Sequence, residues 1–170
     1  VAAYGVIGYV TFIFIGIFFG YSMGVLPVIS YHYGAENHDE LKNLFKKSLK
    51  LLCVTAVCVV IAAELLARPL AMIFVSYDTE LLEMTVRGMR IFCIAFVFAG
   101  VTIFGSGFFT ALNNGLISAV ISALRTLVFE CSAVMLLPLV FGLDGVWGSI
   151  IVAEIAALIV TVIMFIKFRN

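Results

Sequence analysis

Residues 6–29 read VIGYVTFIFIGIFFGYSMGVLPVI, a stretch of 24 residues without a charged side chain. A helix needs about 20 apolar residues to cross the hydrocarbon core of a bilayer, so this stretch is long enough to span it. Four further apolar runs follow, at about residues 51–74, 91–112, 116–141 and 146–168. Membrane strands would instead alternate over segments of about 10 residues. The sequence therefore predicts an all-α polytopic membrane protein with five transmembrane helices.

The composition agrees with a lipid environment. Of the 170 residues, 64% are hydrophobic and 12% are charged, whereas an average soluble domain is about half apolar and about one quarter charged. Ten basic and ten acidic side chains are too few to cover a soluble surface, and a net charge of zero favours association in water. This disfavours a soluble enzyme, a secreted disulfide scaffold and a nucleic-acid binder, and it makes the lipid bilayer the expected partner.

The first polar break predicts an amphipathic helix over about residues 38–50. Asn37 and Glu40 resemble a capping box in which Asn replaces Ser or Thr. Apolar side chains then recur at helical spacing, at Leu41, Leu44, Phe45, Leu49 and Leu52. Four basic side chains lie among and beside them: Lys42, Lys46, Lys47 and Lys50. We expect this helix to lie at the membrane surface and to lead into the second span.

The basic residues set the expected orientation. Five spans put the chain ends on opposite sides, so the lysine-rich break at 36–50 shares a side with the C-terminal Lys167 and Arg169. The positive-inside rule places that side in the cytoplasm. We expect a multi-pass protein of the plasma (inner) membrane. Trp147 is then expected at the outer interface, where amphipathic rings collect.

Small residues in the first run permit two interpretations. Gly16, Gly20 and Gly24 share one helix face, where another backbone can approach closely. Pro27 follows within one turn and can kink the helix. These four residues indicate either tight helix packing or a bending helix in an alternating-access machine. Glycines of the third run permit the same two interpretations less specifically, at Gly100, Gly105 and Gly107.

Three ionisable residues lie deep in the apolar runs, where they are costly and face a cavity or a partner. Arg125 lies about 13 Å and Glu130 about 21 Å from the start of the fourth run, and Glu154 lies about 12 Å below the outer edge. The short turn between the last two runs makes them antiparallel, so Glu154 is in reach of Arg125 or Glu130. The latter two are five apart and do not point the same way on an α-helix.

This cluster has two interpretations. One is a structural ion pair that locks two helices together. The other is a carboxylate in a water-filled cavity that responds to protons or cations, and Glu130 is the acid that we expect to be less tied to Arg125. A second pair, Glu64 and Arg68, has the i, i+4 spacing of an intrahelical ion pair.

Catalytic and metal-binding patterns are not found in the sequence. His32 and His38 lie near acidic residues, but their spacing is irregular for a metal site. There is no Ser/His/Asp set, no glycine-rich phosphate loop and no H-E-x-x-H motif. We therefore expect no enzyme activity, no metal and no cofactor.

Several segments resemble the multidrug and toxic compound extrusion (MATE) family. Residues 24–35, GVLPVISYHYGA, are similar to its glycine, proline and SYNYGA stretch, with His32 where Asn is frequent. The motif positions are Ser30, Tyr31, Gly34 and Ala35. Residues 123–126 resemble the LLR start of its eleventh helix, and residues 137–147 resemble its LP…GLxGVW passage. Glu154 matches a frequent acidic position of the last helix.

The resemblance implies a fold and a function. The family has twelve helices in two lobes, and this chain corresponds to helices eight to twelve, so the N-terminal lobe of the same polypeptide is an implied partner. The family exports small organic, often cationic, compounds in exchange for H⁺ or Na⁺. Its coupling acids in the first, seventh and tenth helices have no counterpart here, so no cation site is carried over. Aromatic side chains are expected to line a drug cavity or to face lipid, at Tyr31, Phe96, Phe98 and Phe104.

Two other functions remain open on the sequence. A lipid-linked oligosaccharide flippase of the same superfamily would need several basic residues in its cavity, and Arg125 is the one that lies deep. A non-transporting membrane scaffold subunit is the alternative outside transport.

Overall fold

The computed structural model describes residues 2–167, which are helical apart from short turns. The α-helices are α1 (Ala2–Gly34), α2 (His38–Val75), α3 (Thr79–Cys93), α4 (Phe96–Ala111), α5 (Gly115–Ala123) and α6 (Cys131–Lys167). A π-helical segment, Leu124–Glu130, joins α5 to α6. The all-α prediction is confirmed. The last residues, including Phe168 of the fifth run and Arg169, lie outside the described residues.

Long apolar helices account for the predicted spans. Three stretches of the described chain are long and apolar enough to cross a membrane: Ala3–Gly34, His38–Val75 and Gly115–Lys167. The last has 53 residues and would be about 80 Å long as a straight helix, far more than a core of about 30 Å. Gly142 interrupts it with φ 58° and ψ −133°, a backbone conformation that L side chains rarely adopt. The stretch therefore forms two segments that fold back on each other.

The third predicted span, 91–112, is not one straight helix. α3 and α4 meet at an angle of 48°, with the break at Ile94 and Ala95. α3 begins at Thr79, well before the apolar run at 91–112. Its first turns therefore contain charged residues that lie outside the predicted span. Asp78 caps α3 by accepting from the backbone N–H groups of Glu80 and Leu81.

The amphipathic segment at 38–50 is not a separate surface helix, because it continues without a break into the second span as α2. The N-terminal cap forms in part. The Asn37 side chain accepts from the Glu40 backbone N–H at 3.2 Å, but the Glu40 carboxylate accepts from the Asn43 side chain rather than from Asn37. The Asn37 N–H donates instead to the His32 carbonyl at 2.9 Å, which ties the turn to the end of α1.

Two contacts show which turns share an end of the bundle. The Ser30 hydroxyl donates to the Ala111 carbonyl at 3.1 Å, so the α1–α2 turn lies beside the α4–α5 turn. The rings of Phe45 and Phe165 lie 4.8 Å apart, so the end of α6 is there too. We call this end, which carries the lysines of residues 42–50, the lysine end. The lysine-rich break and residue 167 therefore lie at the same end of the bundle, as predicted.

The opposite end, which we call the acidic end, gathers the start of α1, the α2–α3 turn and the Gly142 turn. Arg87 donates to Asp144 at 2.5 Å, and the rings of Tyr4 and Trp147 stack at 6.0 Å. Trp147 is 3% exposed and packs against Gly88. The ring therefore packs inside the bundle rather than facing lipid, and its depth at the outer interface stays a prediction.

The predicted intrahelical pair of Glu64 and Arg68 is also wrong. α3 runs antiparallel beside α2, so each of the two residues pairs with an oppositely charged side chain of α3. Arg90 lies 3.6 Å from Glu64, and Arg68 lies 3.6 Å from Glu83. These side chains are partly exposed, so each pair contributes about 1 kcal/mol or less.

α4 is the central helix of the lobe and packs against α1, α2, α5 and α6. Its glycines are the ones that permit close approach. A Cβ at Gly100 would meet the Phe18 ring at 2.7 Å, and a Cβ at Gly105 would overlap the Thr161 methyl group. Large-to-small matching of this kind lets the apolar side chains of neighbouring helices fill the core at high density.

Candidate functional site

An ion pair between α6 and the π-helical segment lies in the middle of the bundle. The Arg125 Nε donates to Glu154 Oε1 at 2.9 Å, and a terminal guanidinium nitrogen contacts the same oxygen. The Glu154 side chain is 3% exposed and that of Arg125 is 21% exposed. Of the two partners open to Glu154 on the sequence, the structure brings Arg125 into contact.

The position of the pair along the bundle is that of a membrane midplane. Arg125 lies ten residues after Gly115, about 15 Å from the lysine end, and Glu154 lies twelve residues after Gly142, about 18 Å from the acidic end. Charges at such depth are tolerated when they are paired or face a polar cavity. An unpaired charge at this depth would be costly, so the pairing stabilises both side chains whatever other role they have.

The π-helical segment changes the relation between Arg125 and Glu130. On an α-helix two residues five apart are rotated by about 140°, whereas a π-helix hydrogen-bonds residues five apart and so brings them toward the same side. Glu130 accordingly lies close enough to Glu154 to act on its carboxylate electrostatically. The widened helix makes the angle between Arg125 and Glu130 smaller than an α-helix would, and their relative direction stays a prediction.

The site carries unused acceptor capacity. Glu154 Oε2 has no hydrogen-bond partner among residues 2–167, and the half-buried Glu130 forms none of the ion pairs found within that range. Arg125, Glu154 and Glu130 together have a net charge of −1 when both acids are ionised. An excess negative charge in a region of low dielectric constant favours the arrival of a proton or another cation.

Thr102 is the residue of this site that the sequence pattern did not reveal. It is fully buried on α4, lies against the Glu154 carboxylate, and donates its hydroxyl proton to the Phe98 carbonyl at 3.1 Å. The available signal was its spacing, since Thr102, Ser106 and Thr110 recur every four residues on one helix. That signal gains meaning only when Glu154 is known to lie opposite.

The glycine face of α1 is open. Gly16, Gly20 and Gly24 are exposed, and a Cβ at each would meet nothing within 4 Å. Pro27 is exposed as well and lies inside the helix. No helix of the described chain packs on this face, so packing within this chain is not its role, and bending stays a prediction.

The residues Ser30, Tyr31, Gly34 and Ala35 form the end of α1 and its turn. Ser30 binds the end of α4, as described above, and the Ala35 N–H donates to the Tyr31 carbonyl at 2.9 Å. Gly34 is the last residue of α1. The motif therefore shapes the junction of α1, α2 and α4 at the lysine end.

The aromatic residues of α4 do not line an open cavity. Phe96 and Phe104 are 3% and 0% exposed and belong to the core, because α4 is surrounded by other helices. For these two, both the cavity and the lipid expectations are wrong. Phe98 is half-buried, and Tyr31 is exposed on α1.

Other sites are weaker. No group of three or more His, Cys, Asp or Glu side chains in the described part of the chain is placed to hold a metal ion. An open cleft of about 490 Å³ lies at the acidic end, lined in part by Arg87, Asp144 and Trp147. It is remote from Glu154, so the acid cluster remains the candidate site.

Solved structures with the same fold are known. The *Vibrio cholerae* MATE transporter VcmN in its bent form superposes with a TM-score of 0.89 at 20% identity over 98% of this chain. An outward-facing multidrug resistance MATE family transporter of the MOP superfamily gives 0.90 at 21% identity over 98%. The inward-facing conformation of such a transporter gives 0.85 at 20% identity over 97%. The chain spans 38% of the length of each of these proteins.

At this identity the structures show a common fold, and comparison with curated proteins gives no match. The family model for MatE matches residues 1–136, most of the 170-residue sequence. The matched range contains α1 to α5, the π-helical segment and the start of α6. The chain, a multi-pass helical membrane protein, belongs to the MatE family.

Proposed function

We propose that the chain is part of a secondary transporter that exports small organic, often cationic, compounds across the plasma membrane in exchange for H⁺ or Na⁺. Membership of the MatE family supports a transporter rather than an enzyme. Two of the similar structures are an outward-facing and an inward-facing form of multidrug resistance transporters, which supports alternating access. The observation that carries the proposal is the buried Glu154, with one oxygen on Arg125 and the other unpartnered.

Exchange requires a site whose charge state differs between two conformations, because a ligand shifts an equilibrium only through its differential affinity for the two states. Protonation of Glu154 would remove the charge that holds Arg125. Arg125 then has a second acid, Glu130, on its own π-helical segment. The movement of one guanidinium between two carboxylates on different segments is a two-state element that a proton or cation can bias.

The open face of α1 supports a second lobe. Its small residues allow the backbone of another segment to approach closely, and nothing within residues 2–167 covers them. The similar structures are more than twice as long as this chain. We propose that the N-terminal lobe of the same polypeptide lies against Gly16, Gly20 and Gly24, and that substrate passes between the lobes while lipid covers the remaining surface.

The proposed orientation places the lysine end in the cytoplasm. The four lysines near the start of α2 share that end with Lys167, and the positive-inside rule favours it. A flippase is a weaker proposal, because Arg125 is the basic residue at mid-depth among those described and it is already paired.

The first prediction concerns Glu154→Gln in the complete transporter. The amide keeps an oxygen for Arg125 but cannot gain or lose a proton at neutral pH, so we expect ion-driven export to fall by about 100-fold. The measurement is substrate transport in vesicles under an imposed pH or Na⁺ gradient, together with drug susceptibility of the cells. Glu64→Gln, which removes a partly exposed carboxylate near the acidic end, is the matched control and should transport as wild type. Wild-type transport by Glu154→Gln would refute a coupling role for this residue.

The second prediction concerns Glu130→Gln. If Glu130 is the alternate partner of Arg125, its neutralisation removes the second state and leaves the first pair intact. We expect coupled transport to fall by about tenfold or more while the protein remains as stable as wild type within about 0.5 kcal/mol. The two readouts are vesicle transport and thermal unfolding. Unchanged transport would mean that Glu130 takes no part in coupling.

A further inference from the structure

Four hydroxyl groups of α4 and α5 form one continuous hydrogen-bonded chain. The Thr110 hydroxyl donates to Ser118 Oγ at 2.8 Å. Ser118 Oγ lies 2.9 Å from Ser106 Oγ, which in turn lies 2.8 Å from Ser122 Oγ. All three distances lie in the range of O–H···O hydrogen bonds. We call these four residues the hydroxyl chain.

The hydroxyl chain runs from the lysine end toward the buried acid. Thr110 is next to the last residue of α4 at that end. Ser122 lies three residues before Arg125, a rise of about 4.5 Å. On α4, Thr102 lies one turn beyond Ser106, within about 6 Å, and lies near the Glu154 carboxylate. A relay across this gap needs one water molecule between the two hydroxyls.

The residues of the hydroxyl chain bond to one another's hydroxyls in addition to backbone carbonyls. Thr110 Oγ1 lies 3.2 Å from the Ser106 carbonyl oxygen, and Ser106 Oγ lies 3.3 Å from the Ser118 carbonyl oxygen. Thr85, Ser149 and Thr161 each donate to a carbonyl of their own helix, which is the ordinary way to satisfy a hydroxyl inside a helical bundle. In the hydroxyl chain, Ser106 bonds to two other hydroxyls, and either oxygen of each pair can be the donor. Such a chain can reverse its direction by rotation of the O–H bonds alone.

The exposure of the hydroxyl chain indicates contact with water. Thr110 and Ser122 are exposed in this chain, and polar groups at membrane depth are found where they line a protein interior or a water-filled cavity rather than lipid. If the open side of α4 and α5 faces the proposed passage between the lobes, water reaches the hydroxyls from that side.

The geometry favours a proton over Na⁺ at the hydroxyl chain. A sodium site needs several oxygens arranged around one point, whereas these oxygens follow one another at hydrogen-bond distance. We propose that the hydroxyl chain, continued by Thr102, is a proton relay between water at the lysine end and Glu154. The proposal rests on the proposed antiport function.

The proton balance of the relay is simple. A hydronium ion gives a proton to a hydroxyl oxygen at the lysine end, and each hydroxyl passes its own proton to the next oxygen. Through the bridging water and Thr102 the last proton forms an O–H bond on Glu154 Oε2, the oxygen without a partner. The charged groups that face this carboxyl group are Arg125 from the π-helical segment and Glu130 from its end.

The test is Ser106→Ala in the complete transporter, reconstituted in vesicles with an imposed pH gradient. Ser106 is the hydroxyl with two partners, so its removal interrupts the chain. We expect substrate-dependent proton flux to fall by about tenfold while equilibrium binding of the substrate stays unchanged. Ser106→Thr keeps the hydroxyl and should restore the flux. Ser149→Ala, which removes a hydroxyl outside the chain, should behave as wild type.

Each other outcome decides against the relay. Wild-type flux in Ser106→Ala overturns it, and so does a parallel loss of binding and flux that Ser106→Thr does not rescue. Export driven by Na⁺ without proton movement overturns the relay and leaves the proposed export intact. A wild-type protein that moves no substrate overturns the proposed function and the relay together. If Ser106→Ala lowers the amount of folded protein, Ser118→Ala, which removes the hydroxyl between Thr110 and Ser106, is subject to the same criteria.

Discussion

Replacing Arg125 with leucine is expected to destabilise the folded protein by about 3–5 kcal/mol, because it leaves the buried Glu154 carboxylate without a partner. The side chain of Glu154 is 3% exposed, and its second oxygen already lacks a hydrogen bond within the described chain. Leucine supplies neither the charge nor the hydrogen bond that the guanidinium gives this carboxylate. The measurement is thermal unfolding of the purified transporter in detergent, where the transition should shift to lower temperature by several degrees.

Two further variants separate the pair from the bulk of the side chain. Arg125→Leu combined with Glu154→Leu removes both charges, so it should recover much of the loss. Arg125→Lys keeps the charge but not the planar donor geometry and should fall between wild type and Arg125→Leu. An Arg125→Leu protein as stable as wild type, or a double variant less stable than Arg125→Leu, would contradict a stabilising ion pair. Transport should be lost in Arg125→Leu and should not return in the double variant, since coupling needs the carboxylate.

The demands of the bilayer explain which features were predictable. A membrane requires every backbone polar group to be bonded within a helix, so the uncharged stretch at 6–29 predicts a helix almost by itself. The same cost of isolated charge singled out Arg125, Glu130 and Glu154. The short Gly142 turn then made Glu154 an antiparallel neighbour of Arg125.

Features that depend on neighbouring helices were not predictable from local sequence. The break at Ile94 and Ala95 contains neither glycine nor proline, the usual causes of a bend. The π-helical segment has no local signature in the residues that form it. Glu64 pairs with Arg90 because α3 lies alongside α2. The i, i+4 spacing within α2 does not predict which helix lies beside it.

The glycines show the same division. Spacing marked Gly16, Gly20 and Gly24 as a packing face, yet within this chain the close contacts belong to Gly100 and Gly105 on the central α4. A glycine pattern tells which face of a helix permits approach. Which neighbour uses that face depends on the position of the helix in the bundle.

The turn between the last two segments yields the second large effect, at Gly145. A Cβ on this residue would overlap the backbone carbonyl of Leu137 and approach the Pro138 nitrogen to 2.9 Å. Backbone atoms cannot move aside as the end of a flexible side chain can, so Gly145→Ala should destabilise the protein by about 2–3 kcal/mol. Opening the turn also moves the part of α6 that carries Glu154 away from the π-helical segment. This movement weakens the contact between Arg125 and Glu154.

The control for that prediction lies three residues away and has the opposite expected sign. Gly148 is half-buried on α6, and a Cβ there would meet nothing within 4 Å. Gly148→Ala should therefore stabilise the helix by up to about 1 kcal/mol, whereas Gly145→Ala should lower both the unfolding temperature and coupled transport. Because both variants add one methyl group to the same helix, a difference in sign isolates the backbone contact at Gly145 from helix propensity. Equal stability of the two variants would show that the turn at residues 137–145 is looser than described.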